Sequence, residues 1–159
     1  MSVSTDGIIF YGWLFEEGHE FPWDLPDDGD FDGDMEKWWR SVNGYKPLFE
    51  LYTDDGYAGG KKPIQMKIDQ YYSHQHEWEE ANPLPFELVD YCSDECPIYA
   101  LAVKGTVLTA NRGYPKPFSP YNLSDTFTAL QVAYLETFCK KYGIELKGEP
   151  QWWLASYWG

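Results

Sequence analysis

The sequence predicts an α+β fold: a mostly antiparallel sheet of about four to five strands, two longer helices and one short helix. Three observations carry this prediction. Short apolar runs with strand character are separated by Gly and Pro punctuation. Two long stretches carry helical periodicity and recognisable caps. Eight Trp, thirteen Tyr and nine Phe in 159 residues supply enough large apolar surface for one core. A chain of this length is read as a single domain spanning residues 1–159 and needs no disulfide or metal to fold.

The elements follow in order. In Gly7–Phe15 both alternating faces are apolar, Ile8, Phe10 and Leu14 on one and Ile9, Tyr11, Trp13 and Phe15 on the other. A central strand covered on both sides fits that pattern. Residues 16–33 carry Gly18, Pro22, Pro26, Gly29 and Gly33 and read as loop. Asp34 is placed to cap a short helix running through Asn43, with Trp38 and Trp39 beside its buried face. Pro63 suits the first turn of a helix reaching Ala81, whose apolar face is Ile64, Ile68, Tyr71, Gln75 and Trp78 and which Asn82-Pro83 stops. Phe86–Tyr91 reads as a strand. Ile98–Val103 and Thr106–Asn111 flank Lys104-Gly105 and predict a hairpin. Ser124–Tyr142 predicts a helix capped by Ser124, buried through Phe127, Leu130, Tyr134 and Phe138, and stopped by a left-handed Gly143. The apolar Gln151–Trp158 run would aggregate if frayed, so it is expected as a strand of the same sheet.

Charge bounds the partners. The chain has 26 acidic and 12 basic residues, a formal net charge of −14. Such a field repels nucleic-acid phosphates and anionic lipid, and it speeds association with basic protein surfaces. Direct nucleic-acid and membrane binding are therefore not expected. The longest apolar run, Ile98–Val103, is too short to span a bilayer. With no signal-peptide pattern at the start and three Cys in no framework spacing, the reading is a cytoplasmic, reduced protein.

The acids are not spread evenly. Ten carboxylates and no Lys or Arg fall within Glu16–Glu36. Three readings of this acidic loop compete. It is a solvated surface that keeps the protein soluble. It is a partner-binding epitope for a basic protein surface, formed by Glu20, Phe21, Trp23, Asp24, Asp27, Asp28, Asp30, Phe31, Asp32, Asp34 and Glu36, because interleaved aromatics are typical of interface cores and like charges are relieved by a basic partner. Or it is a calcium site. Asp28-Gly-Asp-Phe-Asp-Gly33 matches the first half of a calcium loop, with Asp28, Asp30 and Asp32 at positions 1, 3 and 5 and Gly33 at 6. Trp39 stands at position 12, where a bidentate carboxylate belongs.

Other chemistry is sparsely signalled. His74, His76, Cys92 and Cys96 invite a zinc reading, but a His-x-His pair on a helix points its rings about 200° apart. No nucleophile elbow, phosphate loop, dinucleotide fingerprint or zinc-protease motif is present, so the sequence leans away from an enzyme and names no catalytic residue. An enzyme of unrecognised type using the same His and Cys residues, or a virion or assembly component, stays open.

The opening Met1-Ser-Val-Ser-Thr-Asp-Gly-Ile-Ile-Phe-Tyr-Gly12, the Phe21-Pro-Trp-Asp24 step and the closing Ala155-Ser-Tyr-Trp-Gly159 resemble small acidic proteins encoded by tailed bacteriophages. The matched pieces are structural in character and bring no catalytic residue with them. What the resemblance implies is context: such proteins act by binding and blocking host proteins, including defence nucleases and CRISPR effectors, and some imitate nucleic acid.

Overall fold

The computed structural model describes residues 5–24, 34–47, 61–93, 96–119, 123 and 127–158. The chain forms two compact units, Met1–Leu25 with Pro85–Gly159, and Pro26–Leu84.

The first unit is built on β1 (Thr5–Leu14). Along one edge β1 pairs antiparallel over eight residues, Thr5↔Trp158 to Gly12↔Gln151, with β5 (Gln151–Trp158). Along its other edge it pairs first with β4 (Leu108–Ala110) and then with β3 (Pro97–Val103), both antiparallel. The outer edge of β3 pairs antiparallel with β2 (Phe86–Ser93) from Phe86↔Val103 to Cys92↔Pro97. The last two residues of β2 then run parallel to β5, through Cys92↔Tyr157 and Ser93↔Trp158. These pairings form a closed ring, β1–β3–β2–β5–β1, so the sheet coils on itself. Cys92 takes φ 83, a left-handed backbone unusual for a residue with a Cβ. It sits where β2 turns toward β5.

The pleat sorts the side chains. Ile8, Phe10, Val89, Ala100 and Ala102 make one buried cluster, with Leu14, Tyr91, Val107, Trp153, Ala155 and Tyr157 packed around it. These are even positions on β1 and β3 and odd positions on β2 and β5, which is one face of the coiled sheet. The opposite parity buries Trp13, Phe86, Leu101 and Val103. Part of this second face is covered by α3 (Ala129–Tyr142), which lies against β3 and brings Phe138 onto the Phe86 ring at 5.7 Å. The expectation of a central strand covered on both sides holds at Trp13, which is buried, and at Tyr11, on which Phe127 stacks, whereas Leu154, opposite Ile9 on that face, is 79 % exposed.

Gly12 belongs to the register. A Cβ there would collide with the Leu101 carbonyl oxygen and lie 2.9 Å from Ala102 Cα. The Gly12 carbonyl also accepts the Trp153 indole N–H at 3.0 Å.

Two sequence expectations need correction. Lys104-Gly105 does not close a hairpin, because β3 and β4 do not pair with each other: they follow one another along the same edge of β1. Gly12↔Ala102 and Ile9↔Leu108 leave Phe10 and Tyr11 opposite residues 103–107, so the turn is an insertion within one interrupted strand. Thr106 repairs the ladder. Its buried hydroxyl donates to Val103 O at 2.7 Å and accepts the Tyr11 N–H at 3.2 Å. The helix expected from Ser124 begins later. Ser124 lies outside the described residues, and the cap is Thr128, in a reciprocal capping box with Gln131. Its buried stripe is Leu135, Phe138 and Cys139, whereas Leu130 is 82 % exposed and Tyr134 also faces outward. Phe127 precedes the helix and stacks on Tyr11 at 4.0 Å. Gly143 ends it in the left-handed region, as its position predicts.

The second unit carries α1 (Met35–Val42) and α2 (Lys61–Ala81). Asp34 caps α1 by accepting the Lys37 N–H at 2.8 Å. The helices are tied by Arg40–Glu79, by Trp39 Nε1 donating to Asn82 O at 2.8 Å, and by Tyr45 packing on Trp78 and His74. Ile68, Tyr71, Gln75 and Trp78 are among the more shielded described positions of α2, as the periodicity predicts, together with His74 and Glu79. The Ile64 side chain is outside the description. Among the described residues no helix is long and apolar enough to cross a membrane.

Gly12→Ala is expected to cost about 3 kcal/mol or more, since backbone rather than a flexible side chain blocks the methyl. Gly7→Ala, where a Cβ meets nothing within 4 Å, is the control. Urea denaturation of both variants measures the difference.

Candidate functional site

The first half of the acidic segment leaves β1 at Phe15, whose N–H donates to Tyr99 O at 3.0 Å. A turn follows, with the His19 N–H on Glu16 O. Phe21-Pro22-Trp23-Asp24 then forms a tight turn. Pro22 supplies the fixed φ favoured at its second position. Asp24 N–H donates to Phe21 O at 2.9 Å, and Asp24 Oδ2 accepts the Phe21 N–H at 3.0 Å.

The turn aims its aromatics inward. Phe21 is 1 % exposed and Trp23 is 2 % exposed. Their rings stack at 4.7 Å and 4°. Phe21 meets Phe15, His19 and Tyr99 edge-on, and Trp23 lies over Phe86 at 6.2 Å. The chain of rings continues through Phe138 to Tyr142 on α3. Phe21 and Trp23, expected as part of a partner-binding epitope, thus anchor residues 15–24, and Asp24 gives one carboxylate oxygen to the turn itself.

What remains outside is charge. Glu16, Glu17, Glu20 and Asp24 are exposed, and Lys147 pairs with Glu16 at 3.0 Å on the surface. At the far end of the segment, in the second unit, Asp34 is spent on capping α1 while Glu36 is exposed. Asp27, Asp28, Asp30, Phe31 and Asp32 lie outside the described residues, and with them the three aspartates of the calcium reading.

The zinc and nucleophile readings gain no geometry. His74 and His76 belong to the second unit and Cys92 and Cys96 to the first. His74 faces the Tyr45 hydroxyl at 3.3 Å, His76 pairs with Glu80, and His19 packs between Phe15 and Phe21. Among the described residues no three His, Cys, Asp or Glu side chains gather that could hold a metal ion. Cys139 is fully buried, and that burial pushes its thiol up to about 12, with Glu136 adding to the shift. A thiol so protonated is a packing group and not a nucleophile.

One concavity escaped sequence reading. A shallow depression of about 460 Å³ lies at the C-terminal end of α3, with Trp13, Cys139, Ile144 and Leu146 among its walls and Glu136, Lys140 and Glu145 beside them. Of its lining residues, the sequence singled out Gly143 as the stop of the preceding helix. It holds no convergent set of polar groups beyond these surface charges.

No family model, curated protein or solved structure matches the chain. The site rests on its own geometry: exposed carboxylates on a turn that stacked rings hold in place.

Two outcomes test this account. Trp23→Ala should cost about 3–5 kcal/mol in urea denaturation, the range for emptying a buried aromatic site, whereas Glu20→Gln should change stability by less than about 0.5 kcal/mol. Burial also raises Tyr45 and Tyr91 above their usual range. Together with Cys139 these groups keep their protons longer in the folded chain than in the unfolded one. The stability present below pH 9.0 should therefore fall as pH climbs toward 12, the unfolded state deprotonating first. Denaturation at stepped alkaline pH reads the slope.

Proposed function

We propose that this chain is a phage-encoded, non-enzymatic binding protein that acts in the host cytoplasm. Its acidic segment docks on the basic, nucleic-acid-binding surface of a host defence protein, such as a nuclease or CRISPR effector, and blocks it. The observation that supports this reading is the anchored turn at residues 15–24, which holds exposed carboxylates above buried rings. Charges displayed on an ordered base lose less conformational freedom on binding than charges on a slack chain.

The electrostatics favour a local epitope. Duplex DNA carries one charge per about 1.7 Å of axis. Ten carboxylates in the 21 residues from Glu16 to Glu36 would match part of that density locally if the loop is folded, and the rest of the chain would not. A basic groove would meet a short stretch of DNA-like charge there and ordinary protein surface elsewhere.

Affinity capture from host lysate on the immobilised chain, eluted in a salt series, tests the reading. The comparison is a variant carrying Asp28→Asn, Asp30→Asn, Asp32→Asn and Asp34→Asn. Asn caps helices as well as Asp does, so the last change preserves α1. The captured protein should be basic, should be displaced by duplex DNA, and should bind the variant more slowly and with a flatter salt dependence. Equal binding of both chains at low salt overturns the acidic epitope. A melting temperature raised by millimolar calcium would assign the same aspartates to a metal instead.

A further inference from the structure

Cys92 and Cys96 take no part in the acidic-segment reading, and the sheet register sets them close together. The β2–β3 ladder ends on Cys92↔Pro97, so Cys96 is covalently next to the residue that faces Cys92 across the ladder. The Cys96 N–H donates to Ser93 Oγ at 3.2 Å, which folds Cys96 back over the residue that follows Cys92. Antiparallel partners have Cα atoms about 4.5–5.5 Å apart. Cys96 is one Cα step, about 3.8 Å, from a residue at that distance, so the two cysteines are neighbours across the end of the ladder. Cys96 is exposed and Cys92 half-buried, so both are open to a small reagent, whereas Cys139 is buried. Cys92 is also the one non-glycine among the described residues with a left-handed φ. Such backbone persists only where its surroundings hold it, and it clusters at functional positions.

We propose that Cys92 and Cys96 are a reversible dithiol–disulfide pair, a modification site for small disulfide oxidants. The exposed Cys96 thiolate attacks one sulfur of the oxidant. This forms a mixed disulfide and releases the first thiolate. Cys92 Sγ, having lost its proton to solvent, then attacks Cys96 Sγ. The Cys92–Cys96 bond forms and the second small thiolate leaves. The two cysteines are oxidised by two electrons, and the oxidant is reduced to two thiols that take up the two protons. The bond would sit where β2 turns to pair with β5, so the redox state of the pair acts on the point at which the ring of strands closes.

The test uses the full reduced chain and 2-hydroxyethyl disulfide, an uncharged oxidant chosen because a net charge of −14 repels anionic ones. Free thiols are then blocked with N-ethylmaleimide, and intact mass and peptide maps are recorded before and after dithiothreitol. The expected product is a monomer lighter by two hydrogens, its crosslink mapped to Cys92 and Cys96 and reversed by dithiothreitol. Cys139 should be blocked only after denaturation. Cys92→Ser should accumulate the mixed disulfide on Cys96, and Cys96→Ser should yield no internal crosslink. The inference is overturned if the native chain stops at the mixed disulfide, if the product is a crosslinked dimer, or if the crosslink maps to Cys139.

Discussion

The antiparallel pairing of β1 with β5 on one edge, and with β3 and β4 on the other, decides where each apolar side chain of the first unit goes. Because β1 is apolar on both faces, neither face can be left to water. The sheet meets this by coiling until one face encloses Phe10, by stacking Phe127 on Tyr11, and by placing α3 against β3 on the other face. Gly12 is the residue at which the strands approach too closely for a Cβ. Thr106 supplies from a side chain the hydrogen bonds that the interruption between β3 and β4 takes from the backbone. Both features follow from β1 having partners along both edges.

The described first part of the acidic segment, residues 16–24, takes its conformation from the same strand. Phe15 is the last residue held by β1's neighbours, and the stacked rings of Phe21 and Trp23 continue the outer face of the sheet beyond the strand's end. Stacked pairs of this kind contribute about 0.5–1.5 kcal/mol beyond their burial. Repulsion among carboxylates on the turn is screened by solvent, since they are exposed, whereas the rings are desolvated. Packing therefore outweighs charge in setting the local conformation. Charge then determines only what the surface presents. The division matches the sequence, in which Glu20 and Asp24 flank Phe21 and Trp23.

How much of this was legible depends on the range of the interaction involved. The cap of α1 and the stop of α3 were readable because Asp34 and Gly143 act on backbone within a turn of themselves. The apolar runs of β1, β2 and β5 announced strands for the same local reason. The Lys104-Gly105 turn misled because a turn dipeptide between two apolar runs looks the same whether the runs pair with each other or share a third strand. Only β1 distinguishes the two. In α3 the Thr128–Gln131 box was present in the sequence, but Ser124-Asp125 offered an earlier cap of equal local quality. Its buried face was ambiguous because Leu130 and Tyr134 form as good a stripe as Leu135 and Phe138, and Phe86 makes the choice. Phe21 and Trp23 read as part of a partner-binding epitope because an aromatic among acids looks alike as an epitope and as an anchor. Pro22 between them was the missed signal, since a turn there sends both rings to one side.

The anchored turn also changes what the acidic run can do. Charge on a slack chain attracts any basic surface, with little shape selectivity. Charge on a turn fixed by stacked rings is presented from defined positions, so a basic groove must match their spacing as well as their sign. Like-charge clusters reject wrong partners as effectively as they attract right ones. The same anchor buries Phe21 and Trp23, so the contact proposed above would draw on carboxylates rather than on a desolvated ring. An interface of that kind associates quickly, weakens steeply with salt and gains specificity from geometry more than from burial.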